Sequence, residues 1–192
     1  MNAPRPTRRT LTRAAAWTVP VVAVATAAPA FAASPCNCPE FYFQPFPNSG
    51  TLGNGWAIST VSGTQEGGGT NQFISGGVFD PPGDPAAGNT LVVQAARTIC
   101  VTAGRTYRFT YGYTAYLANP RPQTSVLRVN GVNVTGSTID TTSSGASGSR
   151  AVTWTANTTG NVTMAFVHTT AADANSRIGN EIRINNVAGT CS

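Results

Sequence analysis

The sequence has few charges, a single histidine and no lysine. Charged residues make up 10% of the chain, and all twelve basic residues are arginines. The histidine, His168, falls in register with the apolar Met164 and Phe166, which indicates a core position rather than a catalytic base. No Gly-x-Ser-x-Gly turn and no other recognisable catalytic arrangement accompanies it. We therefore expect no enzyme activity.

Helical periodicity is also missing after residue 32. Instead, apolar and polar residues alternate in short runs separated by Gly, Pro and Asn, which is the pattern of β-strands. The pair Asn130-Gly131 is a strong signal for a tight hairpin turn. Strands are predicted at residues 41–43, 56–61, 72–75, 91–94, 107–113, 126–130, 132–134, 152–155, 162–168 and 181–185. Many short strands with turn residues between them predict an all-β fold, a two-sheet antiparallel β-sandwich of the jelly-roll type.

The first 32 residues read as a cleaved signal peptide. Arg8 and Arg9 precede an apolar run at residues 14–28, and a small-x-small exit predicts cleavage after Ala32. The paired arginines, with Leu11 shortly after them, resemble a twin-arginine signal. A membrane anchor is disfavoured because the run is short and weakly apolar and contains Pro20. We expect an extracellular, secreted protein whose residues 33–192 form a single domain without a membrane anchor.

Removal of the leader changes the charge balance. Four of the twelve arginines precede residue 33, whereas all seven carboxylates follow it, so the remaining domain is nearly neutral. A nearly neutral surface supplies little long-range attraction for polyanions. We therefore expect no nucleic-acid partner. Abundant Thr, Asn, Ser and Gly indicate an uncharged, hydrogen-bonding exterior, and the sequence leaves the oligomeric state open.

All four cysteines, Cys36, Cys38, Cys100 and Cys191, follow the leader. An oxidising compartment favours disulfides, whereas a Cys-x-Cys pair without a nearby histidine or second pair matches zinc spacing poorly. A lipid anchor on Cys36 is disfavoured because Pro35 precedes it. A Cys36–Cys38 ring would be strained. We predict bridges from the N-terminal segment to Cys100 and Cys191, with Cys191 joined to Cys36 or Cys38.

Two segments resemble a known family of domains. Residues 101–109 read Val-Thr-Ala-Gly-Arg-Thr-Tyr-Arg-Phe, and residues 180–187 read Asn-Glu-Ile-Arg-Ile-Asn-Asn-Val. Both are similar to strands of galactose-binding-like, carbohydrate-binding jelly rolls, and the leader resembles those of exported actinobacterial proteins. The resemblance implies a non-catalytic domain that binds extracellular glycan at or outside the cell surface. The alternative is a structural or adhesive surface protein that makes protein contacts.

The same resemblance implies a structural calcium ion near the first and last strands. Only Glu181 matches an acidic position of the family, because Asn180 and Asn185 stand beside it. Calcium requires several oxygen ligands with net negative charge. Asp80 and Asp84 are further candidate ligands, although Asp-Pro-Pro-Gly more often marks a rigid turn. We expect no cofactor, with calcium on Asp80, Asp84 and Glu181 as the alternative.

Sugar binding requires aromatic rings and planar polar groups at the surface. Tyr116 breaks the alternation of the strand at residues 107–113 and precedes a loop that contains Arg121. Trp56 follows Gly53-Asn54-Gly55, so it is expected on a loop as well. Tyr116, Arg121 and Trp56 are therefore the candidate ligand-binding residues.

Overall fold

The alternating segments form twelve β-strands and no helix in the part of the chain that the structure describes. This computed structural model describes residues 36, 44–66, 74–81, 84–117, 119–175 and 179–192. All of them belong to the unit Ser34–Ser192. The predicted leader, Cys38 and the predicted strand at residues 41–43 lie outside these residues and stay predictions. Within the described part, no helix has the length and hydropathy needed to cross a membrane.

The strand boundaries follow the turn residues of the sequence. The strands are β1 (Leu52–Gly53), β2 (Trp56–Ser62), β3 (Ile74–Ser75), β4 (Val78–Phe79), β5 (Leu91–Val101), β6 (Thr106–Tyr116), β7 (Gln123–Val129), β8 (Val132–Asn133), β9 (Ile139–Asp140), β10 (Ser147–Thr155), β11 (Gly160–Thr170) and β12 (Glu181–Cys191).

The strands pair into two antiparallel sheets. One sheet has the order β1-β2-β5-β11-β7-β8, with β9 also paired to β7, and the other has the order β10-β6-β12-β4-β3. Asn130 and Gly131 both have positive φ values, 48° and 78°, as a type I′ hairpin turn between β7 and β8 requires. The predicted two-sheet antiparallel β-sandwich is confirmed. Three short strands, β1, β4 and β9, were not predicted, because two residues carry no detectable alternation.

The core lies between the two sheets and is built from the alternating residues. The aromatic side chains of β6 that the alternation assigns to the interior are buried, and Tyr111 meets Phe166 of the opposite sheet edge-on at 4.9 Å between ring centres. Phe46 and Trp56 extend this cluster, with ring centres 4.4 Å apart. Inter-sheet aromatic contacts of this kind stabilise the sandwich beyond simple area burial.

A disulfide closes one end of the sandwich. Cys36 is bonded to Cys100, 64 positions further along the sequence, and the two Cα atoms lie 5.3 Å apart. This bridge confirms that the N-terminal segment is joined to Cys100. Cys191 is also disulfide-bonded. Of its two predicted partners, Cys36 is bonded to Cys100 instead, so that alternative is wrong, and Cys38 lies outside the described residues, so a Cys38–Cys191 bridge stays a prediction.

His168 occupies the core position that its register predicts. It is 1% exposed, and its ring centre lies 4.5 Å from that of Phe79. Neither ring nitrogen has a hydrogen-bond partner among the described residues. Because burial penalises the charged form, it lowers the pKa of His168 from 6.5 to about 3. The imidazole is therefore neutral and has no access to a substrate.

This neutral histidine predicts a specific dependence of stability on pH. Between about pH 6.5 and pH 3 the unfolded chain binds a proton that the folded chain does not, so the free energy of unfolding falls as the pH is lowered through that interval. The limiting slope is about 1.4 kcal/mol per pH unit. Urea unfolding at pH 7 and pH 4.5 measures the loss of unfolding free energy in the wild type and in His168→Leu, and the difference between the two losses belongs to the histidine. Carboxylates titrate in both proteins, so their contribution cancels in the difference, and parallel losses in the two proteins would contradict the prediction.

Candidate outer-face site

The solvent-facing side of the five-stranded sheet, called the outer face below, is flat and polar. It consists of the residues that alternate with the buried ones on β6, β10 and β12. Most of these side chains are small and uncharged. They are Thr110, Gly112 and Thr114 on β6, Ser147, Ser149, Ala151, Thr153 and Thr155 on β10, and Asn185 on β12.

Tyr116 lies at one end of the outer face and keeps a large exposed ring. It is 42% exposed, because the strand alternation turns it away from the core. Glu181 lies directly across on β12, and Arg183, two residues further along that strand, places its guanidinium 4.5 Å from the ring centre. The same guanidinium donates a hydrogen bond from Nη1 to the Tyr116 hydroxyl. A cation over the ring and a bond to its hydroxyl fix the orientation of Tyr116.

Arg183 is itself held by two carboxylates. Its Nε lies 2.7 Å from Asp80 Oδ2, and its Nη2 lies 3.9 Å from Glu181 Oε2. Burial alone would lower the pKa of Arg183, but the hydrogen bond and charge of Asp80 raise it above its usual value. Burial, together with the nearby charges of Asp80 and Asp84, raises the pKa of Glu181. The Tyr116 ring is thus linked through Arg183 to Asp80, the residue that follows β4.

Gly112 lets a planar amide lie on the middle of the outer face. A Cβ atom at Gly112 would collide with the side-chain oxygen of Asn185, which occupies that space. Asn185 pairs with Gly112 across β12 and β6. The amide therefore lies close to the sheet surface, and no side chain of β6 rises beside it at this point.

Several carboxylates lie near the end of β4 and the start of β12. Asp80 and Asp84 lie near enough to Glu181 for their charges to act on its carboxyl group. Glu66 N donates to the backbone carbonyl of Asp84, and Arg121 Nη2 donates to the backbone carbonyl of Asp173. Asp80, Asp84 and Glu181 thus form an acidic cluster near the end of β4 and the start of β12.

These carboxylates do not fit a calcium ion. No group of three or more His, Cys, Asp or Glu side chains in the described ranges is arranged to hold a metal. Asp80 is paired with Arg183, and Asp84 Oδ1 accepts a hydrogen bond from Gly179 N at 3.1 Å. The proposed calcium ligands Asp80, Asp84 and Glu181 thus serve contacts within the protein.

Trp56 is not exposed, contrary to the prediction from its glycine-rich neighbourhood. It is 2% exposed, and its ring nitrogen donates to the carbonyl of Gln44 at 2.9 Å. The turn at residues 53–55 precedes β2, and the first residue of that strand points into the core. The glycines form the turn, and the Trp56 ring that follows it packs in the core between the two sheets.

Arg121 is also buried, so the prediction of a surface position for it is wrong. It is 1% exposed, and its guanidinium donates to backbone carbonyl groups of two connections. Nε bonds to Ala171 O and Nη1 to Pro85 O, both at 2.8 Å, while Nη2 reaches Asp173 O at 3.4 Å. Arg121 therefore joins the β4–β5 and β11–β12 connections rather than offering a group to a ligand.

Of the three predicted ligand-binding residues, the structure leaves Tyr116 on the surface. Sequence reasoning missed Arg183, Asn185 and Asp80 as its companions. Arg183 and Asn185 share the solvent-facing register of the final strand with Glu181, and that alternation was the available signal. Their position on the same face as Tyr116 depends on the β6–β12 register, which a single sequence does not specify.

Comparison with known proteins gives a distant likeness in fold. No family model matches the sequence, and no curated protein matches it. A CBM4 structure is 17% identical over 71% of this chain and 86% of its own, with a TM-score of 0.46. The N-terminal cellulose-binding domain of Cellulomonas fimi β-1,4-glucanase C is 17% identical over 78% and 97%, with a TM-score of 0.44. The C-terminal domain of EclA, a sugar-binding protein, is 16% identical over 59% and 76%, with a TM-score of 0.41. Likeness at this level concerns the β-sandwich alone.

Replacement of Arg121 should destabilise the fold. Arg121→Met keeps the length of the side chain but removes the donors to Ala171 O and Pro85 O. Each buried acceptor left without a partner costs about 1–3 kcal/mol, so we expect a loss of about 2–5 kcal/mol. Urea unfolding should show a lower midpoint at an unchanged m value. The exposed Arg105→Met is the matched control and should shift stability by less than about 0.5 kcal/mol. Equal effects of the two changes would contradict the role of Arg121.

Proposed function

We propose that this chain is an exported, non-catalytic domain that binds glycan on the outer face of the five-stranded sheet. The observation that carries the proposal is Tyr116, an exposed aromatic ring that Arg183 fixes at one end of a flat polar surface. Glycan binding, the function predicted from the sequence, is thereby assigned to a partly different set of residues. Tyr116 is retained, Arg183 and Asn185 join it, and Trp56 and Arg121 have structural roles.

The chemistry of the outer face suits a sugar. Aromatic rings bind the C–H faces of sugar rings, and planar amides and guanidinium groups pair with their hydroxyls. Tyr116 provides the first feature, and Arg183 and Asn185 provide the second. The small residues of β10 leave room for a ligand to lie along the sheet beside the Asn185 amide.

The charge around Tyr116 favours an uncharged glycan. Asp80, Asp84 and Glu181 outnumber Arg183, and Asp80 already compensates that cation at 2.7 Å. A uronic acid or phosphate placed beside Tyr116 would meet the excess of negative charge. We therefore expect neutral sugars rather than polyanions to bind.

An extracellular position belongs to the same proposal. The predicted leader at residues 1–32 directs export, and the Cys36–Cys100 disulfide fits an oxidising compartment. Glycans that such a domain meets there belong to the cell envelope or to the surroundings.

Affinity electrophoresis of the purified chain in gels that contain neutral polysaccharides tests the proposal. A β-1,4-glucan, a β-1,3-glucan, a xylan and a galactan form the neutral panel, with polygalacturonate as the anionic comparison. We expect retardation by at least one neutral polysaccharide, and Tyr116→Ala should weaken it by at least about tenfold, since about 1.4 kcal/mol corresponds to that factor.

Two further variants separate the ring from its surroundings. Tyr116→Phe keeps the ring but loses the bond to Arg183, so most of the affinity should remain. Val132→Ala removes an exposed apolar side chain from the opposite sheet and should change nothing. Failure of every polysaccharide to bind would reject the function. Binding that Tyr116→Ala leaves intact would reject the outer face as its site.

A further inference from the structure

Strand β10 forms the one long exposed edge among the described strands. The other strands at the ends of the two sheets, β1, β3 and β8, have two residues each, whereas β10 has nine. Short edge strands are a common protection against pairing with another chain. The β10 edge lacks that protection.

The alternation of backbone hydrogen bonds along β10 shows which of its N–H and C=O groups face away from β6. The carbonyl of Ala146 accepts from Ala115 N at 2.7 Å, and Ala156 N donates to Arg105 O at 3.0 Å. Even-numbered residues between them therefore bond toward β6. The N–H and C=O groups of the odd-numbered residues point away from the sheet, and no described strand lies on that side. These residues are Ser147, Ser149, Ala151, Thr153 and Thr155.

The side chains of this edge do not block an incoming strand. All five odd-numbered residues are small, uncharged and exposed. The strand contains no proline, and its register with β6 runs from Ser147 to Thr155 without a bulge. Its one charge, on Arg150, belongs to the opposite face, where the guanidinium lies 5.2 Å from the Tyr113 ring centre.

We propose that β10 pairs antiparallel with β10 of a second copy of this chain, about a two-fold axis at Ala151. In this register Ala151 faces its own counterpart, Ser149 faces Thr153 of the second copy, and Ser147 faces Thr155 of the second copy. The five open residues of each copy then exchange their backbone hydrogen bonds in full. The result is one continuous sheet that contains the five-stranded sheets of both copies.

The sequence of β10 is complementary to itself in this register. Hydroxyl side chains meet in four of the five directly opposed pairs on the outer face, and such cross-strand pairs add about 0.2–1 kcal/mol each. On the inner face Gly148 meets Trp154, a combination in which an aromatic side chain covers an edge glycine. Arg150 meets Val152. Moving the axis to residue 150 would place the two arginines face to face.

The two-fold axis stands perpendicular to the sheet, so both outer faces point the same way. Each copy then presents its Tyr116 on one shared surface, and a polymeric ligand that reaches both gains avidity. Pairing of single strands buries little area compared with a permanent interface. We therefore expect a dimer that forms and dissociates with protein concentration.

Sedimentation velocity of the purified full chain, from micromolar to millimolar concentration, tests the pairing. The wild type should shift from monomer to dimer. Ser149→Lys with Thr153→Lys places two pairs of lysines directly opposite each other across the axis and should abolish the dimer. Ser149→Lys with Thr153→Glu places opposite charges there and should restore it. Thr110→Lys with Thr114→Lys is the matched control on the neighbouring strand β6, which is paired on both sides, and should leave the dimer intact.

Each other outcome counts against the proposal. A wild type that stays monomeric at every concentration overturns it, as does a dimer that the paired lysines on β10 leave unchanged. Failure of the lysine–glutamate combination to restore the dimer overturns the register. Circular dichroism checks that each variant is folded. If the double lysine variant does not fold, Ala151→Pro replaces it, because proline removes only the outward N–H, and a dimer in that variant is again contrary to the proposal. Glycan binding by the monomer is measured separately and does not depend on this result.

Discussion

The guanidinium of Arg121 joins two connections between strands and adds to the backbone hydrogen bonds between them, such as Gly88 N to Asp173 O. Its donors reach Ala171 and Asp173 on the β11–β12 connection and Pro85 on the β4–β5 connection. Its own carbonyl accepts from Asn180 N at 2.8 Å. A planar group with several fixed donors suits this task, since a lysine ammonium has no comparable geometry. The connections that Arg121 orders lead directly into Asp80 and Glu181, which border Tyr116. Arg121 thus orders the connections that carry the charged residues around Tyr116.

Much of the fold follows from alternation in the sequence. Tyr107, Phe109 and His168 occupy the core positions that period-two patterning assigns to them, because successive side chains of a strand point to opposite faces. The same rule exposes Tyr116, an even-numbered residue on a strand whose odd-numbered residues are buried. Long strands repeat the alternation often enough for the sequence to predict them. Two-residue strands such as β4 and β9 do not, and their pairing depends on contacts distant in sequence.

The errors at Trp56 and Arg121 share a physical origin. Both residues follow turn signals, and a turn places the chain at the surface without fixing where the next side chain points. Trp56 begins a strand and faces inward, and Arg121 finds carbonyl acceptors from two other connections. The companions of Tyr116 were missed for a related reason. Arg183 contacts Tyr116 and Asn185 lies further along the same face because of the β6–β12 register, and β12 changes that register between Asn185 and Ala188. A bulge of this kind leaves no distinct mark in one sequence.

His168 also gives the folded protein an internal spectroscopic label. It is the one imidazole in the chain, so its carbon-bound ring protons produce a single set of resonances in an NMR spectrum of the unlabelled protein. The Phe79 ring, 4.5 Å away on the opposite sheet, shifts those resonances through its ring current. Any motion that separates the two sheets near β4 and β11 changes this shift, so the native sequence reports on the spacing of its own layers without an added probe.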